Sequence, residues 1–145
     1  MPEPQNYAKH AKLVPMYHRV LSAIILLTFI GSLVNLYQSL GDHERIYNAS
    51  LITAISVALI FLFVFARVFP LGAQDRVIRA EENMRHYMMT GKPLDPRLTV
   101  KQIVGLRFAS DGEFVELARK AAEQGMSMND IKKSVKSWRA DNDRL

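Results

Sequence analysis

The chain has 145 residues, of which 49% are hydrophobic and 23% charged, with a formal net charge of +5. The length suits one ordinary domain, but the apolar residues crowd before residue 70 and the charged ones follow it, so the chain divides into two unlike halves. It has no cysteine, which excludes disulfides, thiolate metal sites and cysteine nucleophiles, and its positive charge favours lipid headgroups first and nucleic acid second as anionic partners.

Residues 1–19 form an N-terminal segment with Lys9, Lys12 and Arg19. Val20 to Gly41 then runs about 22 residues without a charge, and at 1.5 Å per residue it can cross a hydrocarbon layer about 30 Å thick. The run is too long for the apolar stretch of a cleaved signal sequence, and no small-residue cleavage pattern follows, so it is expected to be a retained helix. Residues 42–46 make a loop, and a second uncharged run from Tyr47 to Ala66 predicts a helix over 47–69. So short a loop makes the two helices antiparallel neighbours, with Gly41 ending the first. Lys9, Lys12 and Arg19 before the pair, and Arg67, Arg76 and Arg79 after it, outweigh Arg45 in the loop, which sets both termini on the cytoplasmic side. Tyr17, Tyr37 and Tyr47 fall near the helix ends, at the depth where an amphipathic ring is at home.

Each predicted span carries small or polar residues at helical spacing. Thr28, Ser32, Asn35 and Ser39 share one face of the first, and Ser50, Ala54 and Ala58 share one face of the second. The two stripes are expected to face each other, letting the backbones approach and giving Asn35 a hydrogen-bond partner. The competing reading has Asn35 lining a site for substrate, pigment or quinone, and one amide without an embedded charge supports that weakly.

Beyond Pro70, Leu71 and Gly72, a third helix is predicted over 73–90, with Gly91 as its stop. Val77, Ala80, Met84 and Tyr87 form its apolar stripe, and Arg76, Arg79, Glu82 and Arg85 lie mostly off it, the arginines placed for headgroups or a partner. Pro93 and Pro96 interrupt the linker from Lys92 to Leu98. Three short helices follow over 99–109, 111–124 and 128–140, making a small tail domain over 99–140. Thr99 with Gln102 and Ser110 with Glu113 fit capping boxes, Ser127 with Asp130 approximates a third, and Gly125 closes the middle helix. Ile103, Val104, Leu106 or Phe108, then Phe114, Leu117, Ala118 and Ala121, then Met128, Ile131, Val135 and Trp138 keep a helical period and supply the core. The expected fold is therefore all-α and integral to the membrane: a two-helix transmembrane hairpin, a cytoplasmic amphipathic helix and a small three-helix tail.

Six blocks, QNYAKH (Gln5 to His10), VPMYH (Val14 to His18), IGSLVNLY (Ile30 to Tyr37), AQDRVIRAEENMRHYMMTGKPLDPRLT (Ala73 to Thr99), LRFASDGEF (Leu106 to Phe114) and IKKSVKSWRAD (Ile131 to Asp141), carry a resemblance over almost the whole chain. It resembles a family of small bacterial membrane proteins catalogued as a domain of unknown function. The resemblance implies two membrane helices, a cytoplasmic helical tail and a place in the bacterial inner membrane; it implies no activity and no functional residues.

Chemistry-bearing residues are sparse. Of the four histidines, His10, His18, His43 and His86, none lies inside a predicted span. His18 and His43 fall at opposite ends of the first helix, too far apart to share a haem. An interfacial role is preferred for the histidines over His18 as an axial ligand, so no cofactor or metal is expected. Glu82 and His86, four apart, fit a helix-stabilising pair better than a metal cluster. No glycine-rich phosphate loop, H-E-x-x-H or G-x-S-x-G occurs, so catalysis by this chain alone is not expected. Lys132, Lys133, Lys136 and Arg139 on the last helix could imitate a recognition helix, but base-reading side chains are lacking, and a solvated or headgroup-facing surface is preferred.

The reading favoured is a non-catalytic accessory or scaffold subunit of a larger membrane complex, whose partners are lipids and larger integral membrane proteins, with Phe61, Phe63, Phe65 and Phe69 meeting an apolar flank. By analogy alone, such a complex is respiratory or photosynthetic. A membrane-tethered module recruiting a soluble partner or anionic lipid is the alternative. A homo-oligomeric carrier or pore comes third, because no charge lies within the spans. No small-molecule substrate is expected.

Overall fold

The computed structural model describes residues 6–7 and 13–141, and all the helices and turns below belong to these; Lys9, His10 and Lys12 lie outside them. The order is a π-helical turn Met16–Leu21, then α1 (Ser22–Gln38), α2 (His43–Thr90), α3 (Val100–Leu106), α4 (Asp111–Gln124) and α5 (Met128–Ser134). No β-strand occurs among the described residues, so the all-helical expectation stands. Contacts divide the described residues into two units, one of residues 13–69 and one of residues 70–141 with residues 6–7.

In the first unit the turn between the helices is shorter than the expected 42–46 loop. Ser39 ends α1, donating its backbone N–H and its Oγ to the Asn35 carbonyl at 3.1 and 2.8 Å. Gly41 turns the chain at φ +93°, a conformation that glycine adopts without steric penalty. The Asp42 carboxylate accepts from the N–H groups of Glu44 and Arg45 at 3.1 and 3.2 Å, satisfying donors that α2 would otherwise leave orphaned. His43 to Ile46 are therefore helical.

The faces that pack are partly those expected. On α1, Ser32 and Ser39 are buried and Ile25, Phe29 and Leu36 half-buried, at alternating spacings of three and four, while Thr28 and Asn35 are exposed. On α2, Ala49 and Ser56 are buried, with Ile46, Thr53, Ile60 and Phe63 completing the same alternation. That alternation is the spacing of a helix–helix seam. The expected stripe of Ser50, Ala54 and Ala58 is exposed. The hydroxyls explain the choice: Ser32 and Ser56 meet at 3.0 Å, and Thr53 donates to the Ser32 carbonyl at 3.3 Å, so polar atoms removed from solvent find partners across the seam. Ala49, Thr53 and Ser56 are as small as the stripe that was favoured, and composition alone does not separate the two. At the far end Tyr17 stacks on Phe63 at 4.5 Å and donates its hydroxyl to the Phe63 carbonyl.

The break expected at Pro70 does not occur, because α2 continues to Thr90 with Pro70 inside it. A proline has no N–H, so the Ala66 carbonyl loses its usual helical donor, but the stretch that follows is held by packing in the second unit through Ile78 and Glu82, each 5% exposed. Gly91 stops the helix at φ +72°.

The second unit is built around Leu94, Leu98, Ile103, Leu106, Ala109, Phe114, Leu117, Ala118, Ala121, Ile131 and Val135. Thr99 and Gln102 form the expected capping box, and the Gln102 amide also donates to the Met126 carbonyl at 2.8 Å. Gly125 closes α4 at φ +59°, and Ser127 caps α5 by accepting from the Asp130 N–H. Ser110 makes no side-chain cap: the Glu113 carboxylate instead accepts from the N–H groups of Lys136 and Ser137 at 3.0 and 2.9 Å. Those bonds accompany an early end to α5, which stops at Ser134 rather than near residue 140, with Val135 extended. The chain then pairs with residues 108–110, Ser110 donating to the Ser137 carbonyl and Arg139 to that of Phe108, and Trp138 packs on Phe108 at 4.9 Å.

Two predictions follow from this packing. A Cβ at Gly105 would lie 3.1 Å from the Met128 carbonyl oxygen and 3.4 Å from Ile131 Cγ2. Gly105→Ala therefore pushes α3 off α5 and costs about 1–3 kcal/mol, read as a lower midpoint of thermal or urea unfolding. In the linker, Arg97 donates its backbone N–H to Asp95 Oδ1 at 2.9 Å and its guanidinium to both carboxylate oxygens. These hydrogen bonds hold the Asp95 carboxyl down at about 2, against an ordinary 3.8. Any stabilisation from the pair is present above pH 4 and is lost as pH falls toward 2. Arg97→Ala should return Asp95 to the ordinary carboxylate range in an NMR titration.

Candidate functional site

The C-terminal part of α2 turns a different face to the tail than its pattern predicts. Ile78, Glu82, Arg85 and His86 are the packed positions, while Val77, Ala80, Met84 and Tyr87 stay exposed. Hydrophobicity alone would bury the second set; the tail instead offers partners for ionic groups. Arg85, with a side chain 12% exposed, donates from Nη1 to Glu82 at 2.9 Å, from Nε and Nη2 to Asp111 at 2.9 and 2.5 Å, and from Nη2 to the Ala109 carbonyl at 2.8 Å. Its guanidinium also lies 4.2 Å over the Phe114 ring. A planar fork that bonds in several directions and stacks on an aromatic face is a task for arginine rather than lysine.

Around this residue lies an open groove of about 1190 Å³, with Val77, Ala80, Met84 and Met88 on one side and Arg107, Asp111, Arg139 and Asp141 on the other. All of its charged residues but Glu81 are in ion pairs. Arg139 stands 3.8 Å from the second Glu82 oxygen, and Arg107 pairs with Asp141 at 3.1 Å while lying 4.6 Å over Phe108. A carboxylate as buried as Glu82 is tolerable only with such partners. The cluster is therefore a latch that holds the helix against the tail, and the apolar side of the groove is what it leaves open.

The residues singled out by sequence are scattered relative to this groove. Arg85 was placed for headgroups and is instead the centre of the latch, because its fork is used up internally. Lys132 is 7% exposed and lies 5.6 Å over Phe108, so it too is withdrawn from the surface. Arg76, Arg79, Lys133 and Lys136 are exposed, with Lys133 lying 5.7 Å over Tyr7. Lys136 and Arg139 sit on extended chain beyond α5, so the resemblance to a recognition helix fails geometrically. Glu82 pairs with Arg85 rather than His86, whose Nδ1 meets the Lys92 carbonyl at 2.7 Å. His18 Nδ1 is engaged with the Val14 backbone at 3.0–3.1 Å. Among the described residues no group of three or more histidine, aspartate or glutamate side chains is arranged to hold a metal ion. Asp111, Arg107 and Asp141 were missed; only the Glu82–Arg85 spacing of three hinted at the latch.

The model of a family of unknown function, DUF6526, matches residues 1–145, the whole chain. No curated protein and no solved structure matches it.

Removing the centre of the latch should expose its importance. Arg85→Ala leaves Glu82 buried with only the distant Arg139, and is expected to destabilise the unit by about 3–5 kcal/mol, whereas Arg139→Ala costs under about 1 kcal/mol, in line with an exposed pair. Denaturation of the two variants side by side measures the difference.

Proposed function

The chain belongs to this family of unknown function, and from that premise we propose that it is a non-catalytic accessory or scaffold subunit of a larger membrane assembly, inserted as a two-helix hairpin. The observation that carries the reading is the outward-facing apolar surface of two long helices. Met16–Gln38, 23 residues, and the apolar part of His43–Thr90 are each long and apolar enough to cross a membrane. Leu27, Leu62 and Phe61 are 69%, 64% and 57% exposed, and many neighbours resemble them. A large aliphatic or aromatic side chain left in water forgoes about 1.5–3 kcal/mol relative to burial, a loss that lipid tails or a partner's flank would remove.

Phe61, Phe65 and Phe69 stack in a ladder at 6.3 and 5.1 Å. All three are exposed, which supports a lateral contact with a partner helix or a bound lipid. Phe63 leaves that surface to pack on Tyr17. Basic residues cluster outside the spans, with Arg19 before the pair and Arg67, Arg76 and Arg79 after it, so both termini face the cytoplasm of a bacterial inner membrane. The alternative, a tethered module recruiting a soluble partner or anionic lipid, draws on the exposed Arg76, Arg79, Lys133 and Lys136. It predicts binding that weakens with salt.

Fractionation and gentle detergent extraction test the proposal. The chain should resist alkaline washing of membranes, tags on both termini should be reachable only after the inner membrane is breached, and native mass analysis should find other proteins bound. A particle built from 16.5 kDa chains alone would overturn the accessory reading, and a chain recovered without detergent would overturn the membrane reading.

A further inference from the structure

We infer that the exposed face of α2 between residues 76 and 88 is the seam of a parallel homodimer, an inference that rests on the membrane reading for the confinement it imposes on both copies. The latch keeps Ile78, Glu82, Arg85 and His86 on the side packed within the unit. The opposite side presents Val77, Met84 and Tyr87 at 55%, 59% and 55% exposure, with Ala80 between them and Met88, at 78%, on the flank. The intervals from 77 to 80, 84 and 87 are three, four and three. That is the spacing of a coiled-coil seam, with Val77 and Met84 at a, Ala80 and Tyr87 at d. A helix inside a folded unit that keeps such a stripe uncovered is built to meet another helix.

The charges beside the seam select the partner. In this register Arg76 occupies a g position and Glu81 the following e position; both are exposed, and neither has an ion pair among the described residues. When two copies pack in parallel, g faces the e position five residues further along the other helix. Arg76 of each copy then meets Glu81 of the other, twice by symmetry. An antiparallel pair would set g beside g and e beside e, so Arg76 and Glu81 would no longer face each other. An anionic bilayer surface is a poorer occupant, because it would press Glu81, and Asp111 with its side chain 77% exposed, toward phosphates. Two heptads make a short seam, but confinement to one membrane raises the effective concentration of the partner. Ala80 allows close approach, and the flexible thioethers of Met84 and Met88 fill what remains.

The chain has no cysteine, so single cysteines report cleanly on this geometry. Ala80→Cys and Met84→Cys, each made in the full chain and oxidised in native membranes, should give a disulfide-linked species of twice the 16.5 kDa chain mass, because seam positions bring Cα atoms to about 6 Å. Arg79→Cys, on another side of the helix, should give at least about tenfold less. Adding Glu81→Arg to Ala80→Cys sets arginine against arginine and should lower the dimer about threefold or more, and adding Arg76→Glu as well should restore it. Equal yields at positions 79 and 80, or yields indifferent to the charge reversal, overturn the dimer; Met84→Cys gives the same reading if the Ala80 variant does not accumulate. A chain found in the membrane fraction without seam-specific dimer defeats this inference alone, whereas a chain absent from that fraction defeats the membrane reading first.

Discussion

A helix packed along one seam hides only one stripe of its surface, and α1 and the part of α2 from Tyr47 to Ala66 are apolar on nearly every side. Ser32, Ser39, Ala49 and Ser56 are the residues most hidden between the two helices, and they are small, whereas large side chains such as Leu26, Leu27, Leu62 and Phe65 point outward. In water that arrangement would be inverted, with the leucines inside and the serines outside. Residues 13–69 therefore leave most of their large apolar side chains uncovered within their own unit. The hydroxyl contacts of Ser32, Thr53 and Ser56 pair polar atoms that the seam removes from solvent.

Beyond residue 70 the governing interaction changes from apolar packing to paired charge. Glu82 is nearly as buried as Ile78, and the Arg85 guanidinium that neutralises it is shared with Asp111, the Ala109 carbonyl and the Phe114 ring. Such a latch orients more than it stabilises, since a buried ion pair repays its desolvation only when every donor and acceptor is used. Its consequence is directional: the helix turns its ionic side to the tail and its apolar side outward. The open groove, the uncovered Val77–Tyr87 stripe and the seam inferred for a second copy all descend from that choice.

The scaffold reading and the dimer inference fit together physically. On the scaffold reading the chain would act through its surfaces, and it offers two kinds. One is the stacked ladder of Phe61, Phe65 and Phe69 within the apolar span; the other is a stripe flanked by opposite charges. The first is sequence-tolerant and suited to lipid or a protein flank, and the second carries the register and polarity information that distinguishes one partner from another.

By itself the sequence determined the all-helical class, the two apolar runs, the Thr99 and Ser127 caps and the glycine stops at 91 and 125, because each depends on residues within a few positions along the chain. Only the tertiary structure decided which stripe of each helix is covered. Ala49, Thr53 and Ser56 differ from Ser50, Ala54 and Ala58 in rotation about the helix rather than in chemistry, and only the hydroxyls and carbonyls of the neighbouring helix break the tie. The helix through Pro70, the use of Glu113 to hold residues 136 and 137, and the burial of Glu82 and Arg85 in place of Val77 and Met84 share that origin. Their partners lie roughly 20 to 30 residues away or more, and a one-dimensional pattern carries no record of the electrostatic and hydrogen-bonding groups that the fold brings beside them.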